Sequence, residues 1–144
     1  MNNIYSQEGW TAFIETISME FTDFEDFKKK YDSSVNWESY IKRVFVWNMM
    51  DLIGYQYHAG VIDLDAIYGT LGTPVISCWQ KFKPVIEGYR KTEGWARDDF
   101  IMFEKLAYDL TKMREKITYN PLVIKLDEAY RRDSIRSQQT RSPP

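Results

Sequence analysis

Two side chains in this sequence have the chemistry of a nucleophile and its base: Cys78 and His58, the only cysteine and the only histidine in the chain. A working pair needs the imidazole within hydrogen-bond reach of the sulfur, where it stabilises the attacking thiolate. Nothing in the spacing brings them together. Cys78 flanks an apolar helical stripe, the usual place of an inert buried cysteine. His58 falls near the C-terminal end of a helix, where the helix dipole favours its protonated form, and that reading outweighs a catalytic or ligand role. Metal ligation has less support still. The sequence contains no C-x-x-C, no H-E-x-x-H and no Glu-x-x-His pair, the spacings that place donors around zinc or a carboxylate-bridged metal pair. Gly69-Thr70-Leu71-Gly72 is too short for a phosphate loop and lacks its lysine. No catalytic residue, metal or cofactor is therefore expected, and the chain is not expected to be an enzyme.

A second set is polar rather than reactive. Asn48, Asp51 and Tyr55 share one helical segment whose spacing turns them inward, and Arg90 lies on the next segment. A buried amide without a partner costs on the order of 1–3 kcal/mol, so Asn48 needs one. A hydrogen bond between helices, with Asp51 and Tyr55 as neighbours, is the plainer reading. A polar contact to a ligand, or an enzyme pocket completed by Arg90, is the sharper one.

The elements that must position these residues centre on positions 37–93. Asn36 is a suitable N-cap, with Glu38 in the first turn. Ile41, Val44, Phe45, Asn48, Leu52, Tyr55 and Ala59 then recur at three- and four-residue intervals, which predicts a helix with that face on the core and with Lys42 and Arg43 off it. Gly60 closes it. A brief turn over 64–68 follows, ended by Gly69 and Gly72. Thr73-Pro74 has the form of a new helix start, whose stripe is Val75, Trp79, Phe82, Ile86 and Tyr89. Pro84 predicts a kink, since its ring removes the bond to the Gln80 carbonyl.

These segments carry a resemblance. Trp47-Asn48-Met49-Met50-Asp51, then Gly60-Val61-Ile62-Asp63, then Cys78-Trp79-Gln80-Lys81-Phe82-Lys83-Pro84-Val85-Ile86 with Arg90, and finally Phe103-Glu104-Lys105-Leu106-Ala107, resemble a family of small prokaryotic helical proteins classed only as a domain of unknown function. The resemblance covers about residues 39–110. It implies a helical fold and leaves function open, since the family has no established activity to carry over. Members often carry an N-terminal membrane anchor, and this chain departs from them in having no such segment.

On either side the pattern stays helical. Trp10, Phe13, Ile14, Ile17 and Phe21 form a first stripe, and Thr22 with Glu25 reads as a capping box before Phe24, Phe27 and Tyr31. The acids Glu8, Glu15, Glu20, Asp23, Glu25 and Asp26 precede residue 27 without a lysine or arginine among them. A solvated helix surface explains them more simply than a partner-binding face. Arg97-Asp98-Asp99 starts a helix with the stripe Phe103, Leu106, Leu110, Met113 and Ile117. Asn120-Pro121 starts a last one, expected to bury Leu122, Leu126, Ala129 and Tyr130. From residue 133 the apolar residues give out, which predicts a disordered tail. Arg131, Arg132, Arg136 and Arg141 make this end locally basic: a solubilising tail, or a weak clamp on phosphate or on an acidic partner such as a neighbour's N-terminal helix.

The 144 residues, 44% hydrophobic and 16% aromatic, suffice for one well-filled core, and a domain of this size buries roughly 70% of its unfolded surface. A net charge of −2 creates no field that would gather nucleic acid. Trp47 and Trp95 lack the basic groove that base-stacking readers interleave with aromatics. One cysteine excludes an internal disulfide, no apolar run is long enough to span a membrane, and no signal peptide is present, so a cytoplasmic setting is expected. The expectation is an all-α, compact antiparallel bundle of five or six helices, with a single domain over 1–132 and a disordered basic tail over 133–144. Its expected role is a non-catalytic protein-interaction module that self-associates. The alternative is a nucleic-acid or regulatory-ligand binder using the basic tail and Trp95-Ala96-Arg97, although nucleic acid is disfavoured by the charge.

Overall fold

The computed structural model describes residues 6–118 and 121–140. Six helices make up their regular structure: α1 (Gln7–Ile17), α2 (Phe24–Tyr31), α3 (Trp37–His58), α4 (Leu64–Arg90), α5 (Ile101–Thr118) and α6 (Pro121–Gln139). No strand occurs among the described residues, and no helix among them is long and apolar enough to cross a membrane. The fold is an all-α bundle. Two compact units divide the chain, residues 1–110 and residues 111–144.

In the first unit the short helices are set by their caps. The Ser6 hydroxyl accepts the Gly9 N–H at the start of α1, which buries Ala12, Phe13 and Thr16. The cap of α2 falls one residue later than the Thr22/Glu25 pair suggested. Asp23 accepts the Asp26 N–H at 2.8 Å, and the Asp26 carboxylate accepts the Thr22 N–H at 2.9 Å. A carboxylate at the N-cap also gains from the helix dipole, which a threonine does not.

The long helix α4 runs unbroken through Gly69, Gly72 and Pro74, where the sequence suggested a short turn and a fresh start, and it continues past Pro84. An interior proline costs about 3 kcal/mol. Ile67, Leu71, Val75, Ile76, Trp79, Phe82, Val85 and Ile86 are all buried along this helix, and each such side chain contributes roughly 1.5–3 kcal/mol. Burial outweighs both prolines. The Thr70 hydroxyl donates to the Ala66 carbonyl in the turn before Pro74. Phe82 stands at the centre of the core, with its ring 5.3 Å from Trp47 and 6.2 Å from Phe27, both edge-on.

The face of α3 is the main correction. Its buried residues are Arg43, Val46, Trp47, Met50, Ile53 and Gly54. The stripe read as inward points the other way: Ile41, Leu52 and Tyr55 are 51%, 48% and 53% exposed, and Asn48 is exposed with them. At 100° per residue the two stripes lie on opposite sides of the helix. Both are apolar, so periodicity alone favoured the stripe without a charge, and Arg43 sits in the other.

The stretch before α5 is a series of turns and not the start of the helix. Asp99 accepts the Ala96 N–H at 2.7 Å, Phe100 takes a φ of 62°, and the helix begins at Ile101. Phe103, Leu106 and Leu110 are buried as expected.

In the second unit, α6 continues to Gln139, through positions where a disordered tail was expected, and residues 141–144 lie outside the described ones. Ser134, Ser137 and Thr140 hydroxyls donate to carbonyls four residues back, and Arg131 pairs with Asp127 at 3.0 Å. Leu122, Leu126 and Tyr130 are not buried; they are 65%, 63% and 78% exposed, and Ala129 is half-buried. The apolar spacing was real, but no core in the described residues covers it.

Candidate functional site

Of the four polar residues expected to converge, the structure brings two together. The Asp51 carboxylate accepts the Phe103 N–H at 2.9 Å, serving as a cap for the first turn of α5. Helix α3 approaches closely here because residue 54 is glycine; a Cβ at that position would run into the Met102 carbonyl. Arg90, at the end of α4, reaches the same turn from the other side. Its Nε donates to the Asp99 carbonyl at 2.9 Å, and its Nη1 pairs with Glu104 at 3.2 Å. Burial pushes the Asp51 carboxyl up, while the Phe103 and Met102 amides and the Arg90 charge pull it back. Asn48 and Tyr55 take no part, because they lie on the outer face of α3. The group holds the start of α5 in place.

Arg90 also lines an open cavity of about 910 Å³ with Lys91, Trp95 and Arg97, with Glu87 and Glu93 among its other walls. The indole of Trp95 is stacked on Tyr89 at 4.7 Å.

The most unusual residue was not singled out by the sequence. Arg43 is 1% exposed. Its guanidinium lies 5.0 to 5.4 Å from the rings of Phe27, Tyr40, Trp47 and Tyr89. Nη2 donates to the Tyr31 carbonyl at 3.3 Å, while Nε and Nη1 have no hydrogen-bond partner among the described residues. Burial lowers its proton affinity, and the nearest carboxylate influence is Asp32. Asp32 itself accepts the Tyr89 hydroxyl at 2.7 Å, which holds its carboxyl below the usual range. The cue for Arg43 was its i, i+3, i+4, i+7 spacing with Val46, Trp47 and Met50. A charged residue in such a stripe is easily discarded.

The reactive pair does not form a reactive site. Cys78 is fully buried, and burial pushes its thiol up to about 12, far from the thiolate needed for attack. His58 is exposed in the last turn of α3. Among the described residues no group of three His, Cys, Asp or Glu side chains could hold a metal ion.

At the basic end, Arg131 is engaged with Asp127 and Arg132 Nε donates to the Glu128 carbonyl at 3.4 Å. Arg132 and Arg136 share a small concavity with Ala129 and Asp133. Arg141 lies outside the described residues.

A different surface stands out on the first unit. The outer stripe of α3 continues into a groove against α1, of about 540 Å³, lined by Ile41 and Phe45 on one side and by Thr11 and Ala12 on the other. Its rim is charged: Glu8 lines it, and Lys42 bridges Glu15 of α1 and Glu38 of α3.

No curated protein and no solved structure matches the chain. A family model does, over residues 3–110, nearly the whole of the first unit and a wider span than the motifs alone marked out. The chain belongs to the family described as Domain of unknown function (DUF4760).

Proposed function

We propose that the protein is a non-catalytic helical interaction module that associates with itself. The observation that carries this reading is the outer stripe of α3. Ile41, Leu52 and Tyr55 stand about half exposed at core-like spacing, on a helix whose opposite face already fills the core. A helix apolar on both faces belongs between two packing partners, and exposed apolar patches of this kind mark interaction sites. The inert thiol of Cys78 supports a role without covalent chemistry. A free cysteine fits a reducing, cytoplasmic setting.

Light scattering of the purified chain at rising concentration tests this. The mass should move from monomer toward dimer, and Leu52→Glu should hold it at monomer with its helical circular dichroism unchanged. A monomer at every concentration overturns the self-association.

A second reading, a binder of small anionic ligands or nucleic acid, rests on the cavity at Arg90, Lys91, Trp95 and Arg97. Glu87 and Glu93 in the same walls offset much of that charge. Binding that weakens steeply with salt and is lost in Arg97→Glu would favour it.

A further inference from the structure

We infer that the occupant of the α1/α3 groove is helix α6 of a second copy of this chain. The inference rests on the self-association proposed above and names its two surfaces.

The first surface is the groove with the outer stripe of α3. Ile41 and Phe45 lie within the groove, and Leu52 and Tyr55 prolong the apolar track along the same helix face. Its border is acidic. Glu8 and Glu15 are seven residues apart on α1, which places them nearly in line and about 10.5 Å apart along the helix. Glu38 stands on α3. Lys42 offsets one of these charges, being held between Glu15 and Glu38, so the border keeps an excess of negative charge.

The second surface is α6. Leu122, Leu126, Ala129 and Tyr130 fall within about 100° of one another on the helix, the width of an ordinary core-facing stripe, and Leu122, Leu126 and Tyr130 are more than half exposed. Along one side of that stripe run Lys125, Arg132 and Arg136, confined to about 40° of the helix circumference. Lys125 and Arg132 are also seven residues apart. The basic pair on α6 therefore repeats the rise of the acidic pair on α1, with an apolar stripe beside each. Such a helix, with apolar anchors at i, i+4, i+7 and i+8, is the form that docks in apolar grooves.

Most helical stability in proteins comes from the packing of an apolar face. Seating α6 on a neighbour would supply that packing and cover the outer face of α3 at once. The family match ends at residue 110, before α6 begins, so α6 lies outside the matched span. Reciprocal exchange between two copies closes the assembly with two identical contacts, as a two-fold dimer requires.

The test uses two full-length variants. One carries Glu8→Lys and Glu15→Lys, and the other carries Lys125→Glu and Arg132→Glu. All four positions are exposed, so circular dichroism and the melting temperature should stay near wild type. Sedimentation velocity should show each variant alone dimerising at least tenfold more weakly than wild type. Mixing the two should restore association, since each then meets a groove of opposite charge to its helix. The quadruple variant should also dimerise, within about threefold of wild type. If the wild-type dimer forms and the Glu8/Glu15 variant dimerises as well as wild type, this docking is wrong while self-association stands. If wild type remains monomeric at every concentration, both fall.

Discussion

The carboxylate of Asp51 in α3 accepts the backbone N–H of Phe103 in α5 at 2.9 Å, across 52 residues of sequence. A helix start is ordinarily capped by a residue just before it; here another helix supplies the acceptor, and Gly54 lets the two approach. Only an acceptor oxygen is needed, not a charge. The Asp51 carboxyl is raised by burial, so its ionised form opposes folding. Its contribution is complete below the ordinary value of 3.8 and is lost as pH rises through the raised folded value. Asp51→Asn keeps the oxygen without the charge and should match or exceed wild-type stability at pH 7 in urea melts. Asp51→Ala should lose about 1 kcal/mol. An Asn variant as weak as the Ala variant would mean that the charge itself matters.

Arg43 offers a sharper test of what a buried charge contributes. Four rings surround its guanidinium, and two of its nitrogens lack partners among the described residues. Replacing buried ions with apolar groups of similar volume is often neutral or stabilising, by about 1–4 kcal/mol. Arg43→Met should therefore leave the urea midpoint unchanged or raise it. Arg43→Ala, which leaves a cavity among the rings, should lose about 3 kcal/mol or more. Should Met cost as much as Ala, the stacking of the guanidinium on the rings and its bond to Tyr31 would outweigh its desolvation.

The same residue shows where sequence reading stops. The existence of the helices was legible, because apolar periodicity and a cap such as Asn36 are local signals. The orientation of α3 was not. It carries two apolar stripes, and which one meets the core depends on what α1, α2 and α4 present to it. The unbroken course of α4 was hidden for the opposite reason: Gly69, Gly72 and Pro74 are strong local signals, overridden by burial along the whole helix. Asp51 and Arg90 do share a target, but it is the first turn of α5, in a segment whose start was misplaced by four residues' worth of turn at 97–100. Asn48 and Tyr55 were carried along with the wrong face.

Two glycines of α3 and α4 should respond in opposite senses to the same substitution. At Gly54 an added methyl meets backbone of α5, which cannot move aside as a side chain would. Gly54→Ala should cost about 1–3 kcal/mol, the usual range for overpacking. At Gly69 nothing lies within 4 Å of the new methyl, and the position is helical and exposed. Gly69→Ala should raise stability by about 1 kcal/mol through helix propensity alone. Thermal melts of the two variants separate the effects. A neutral Gly54→Ala would show that α3 and α5 have freedom to part.

The hydrogen bond from Tyr89 to Asp32 should control stability at both ends of the pH range. Asp32 is held below 3.8, first by the Tyr89 hydroxyl. A depressed carboxyl contributes stability that is present above its unfolded value and is lost as pH falls through the lower folded one. Tyr89 is held above 10.0, first by burial and then by Asp32. A raised phenol is stabilising below its unfolded value, and that stability is lost as pH rises toward the folded one. Tyr89→Phe removes the phenol's dependence and the first of the contacts that depress Asp32, leaving those of Ser34 and Arg43, while keeping the ring that packs against Phe24 and Trp95. The variant should be less stable than wild type near pH 7 by about 1.5–3 kcal/mol, the value of a hydrogen bond to a charged group. The difference should shrink below about pH 4 and again above about pH 10, where wild type loses what the variant never had. A constant difference across the whole range would show that the hydroxyl acts through packing and not through the charge on Asp32.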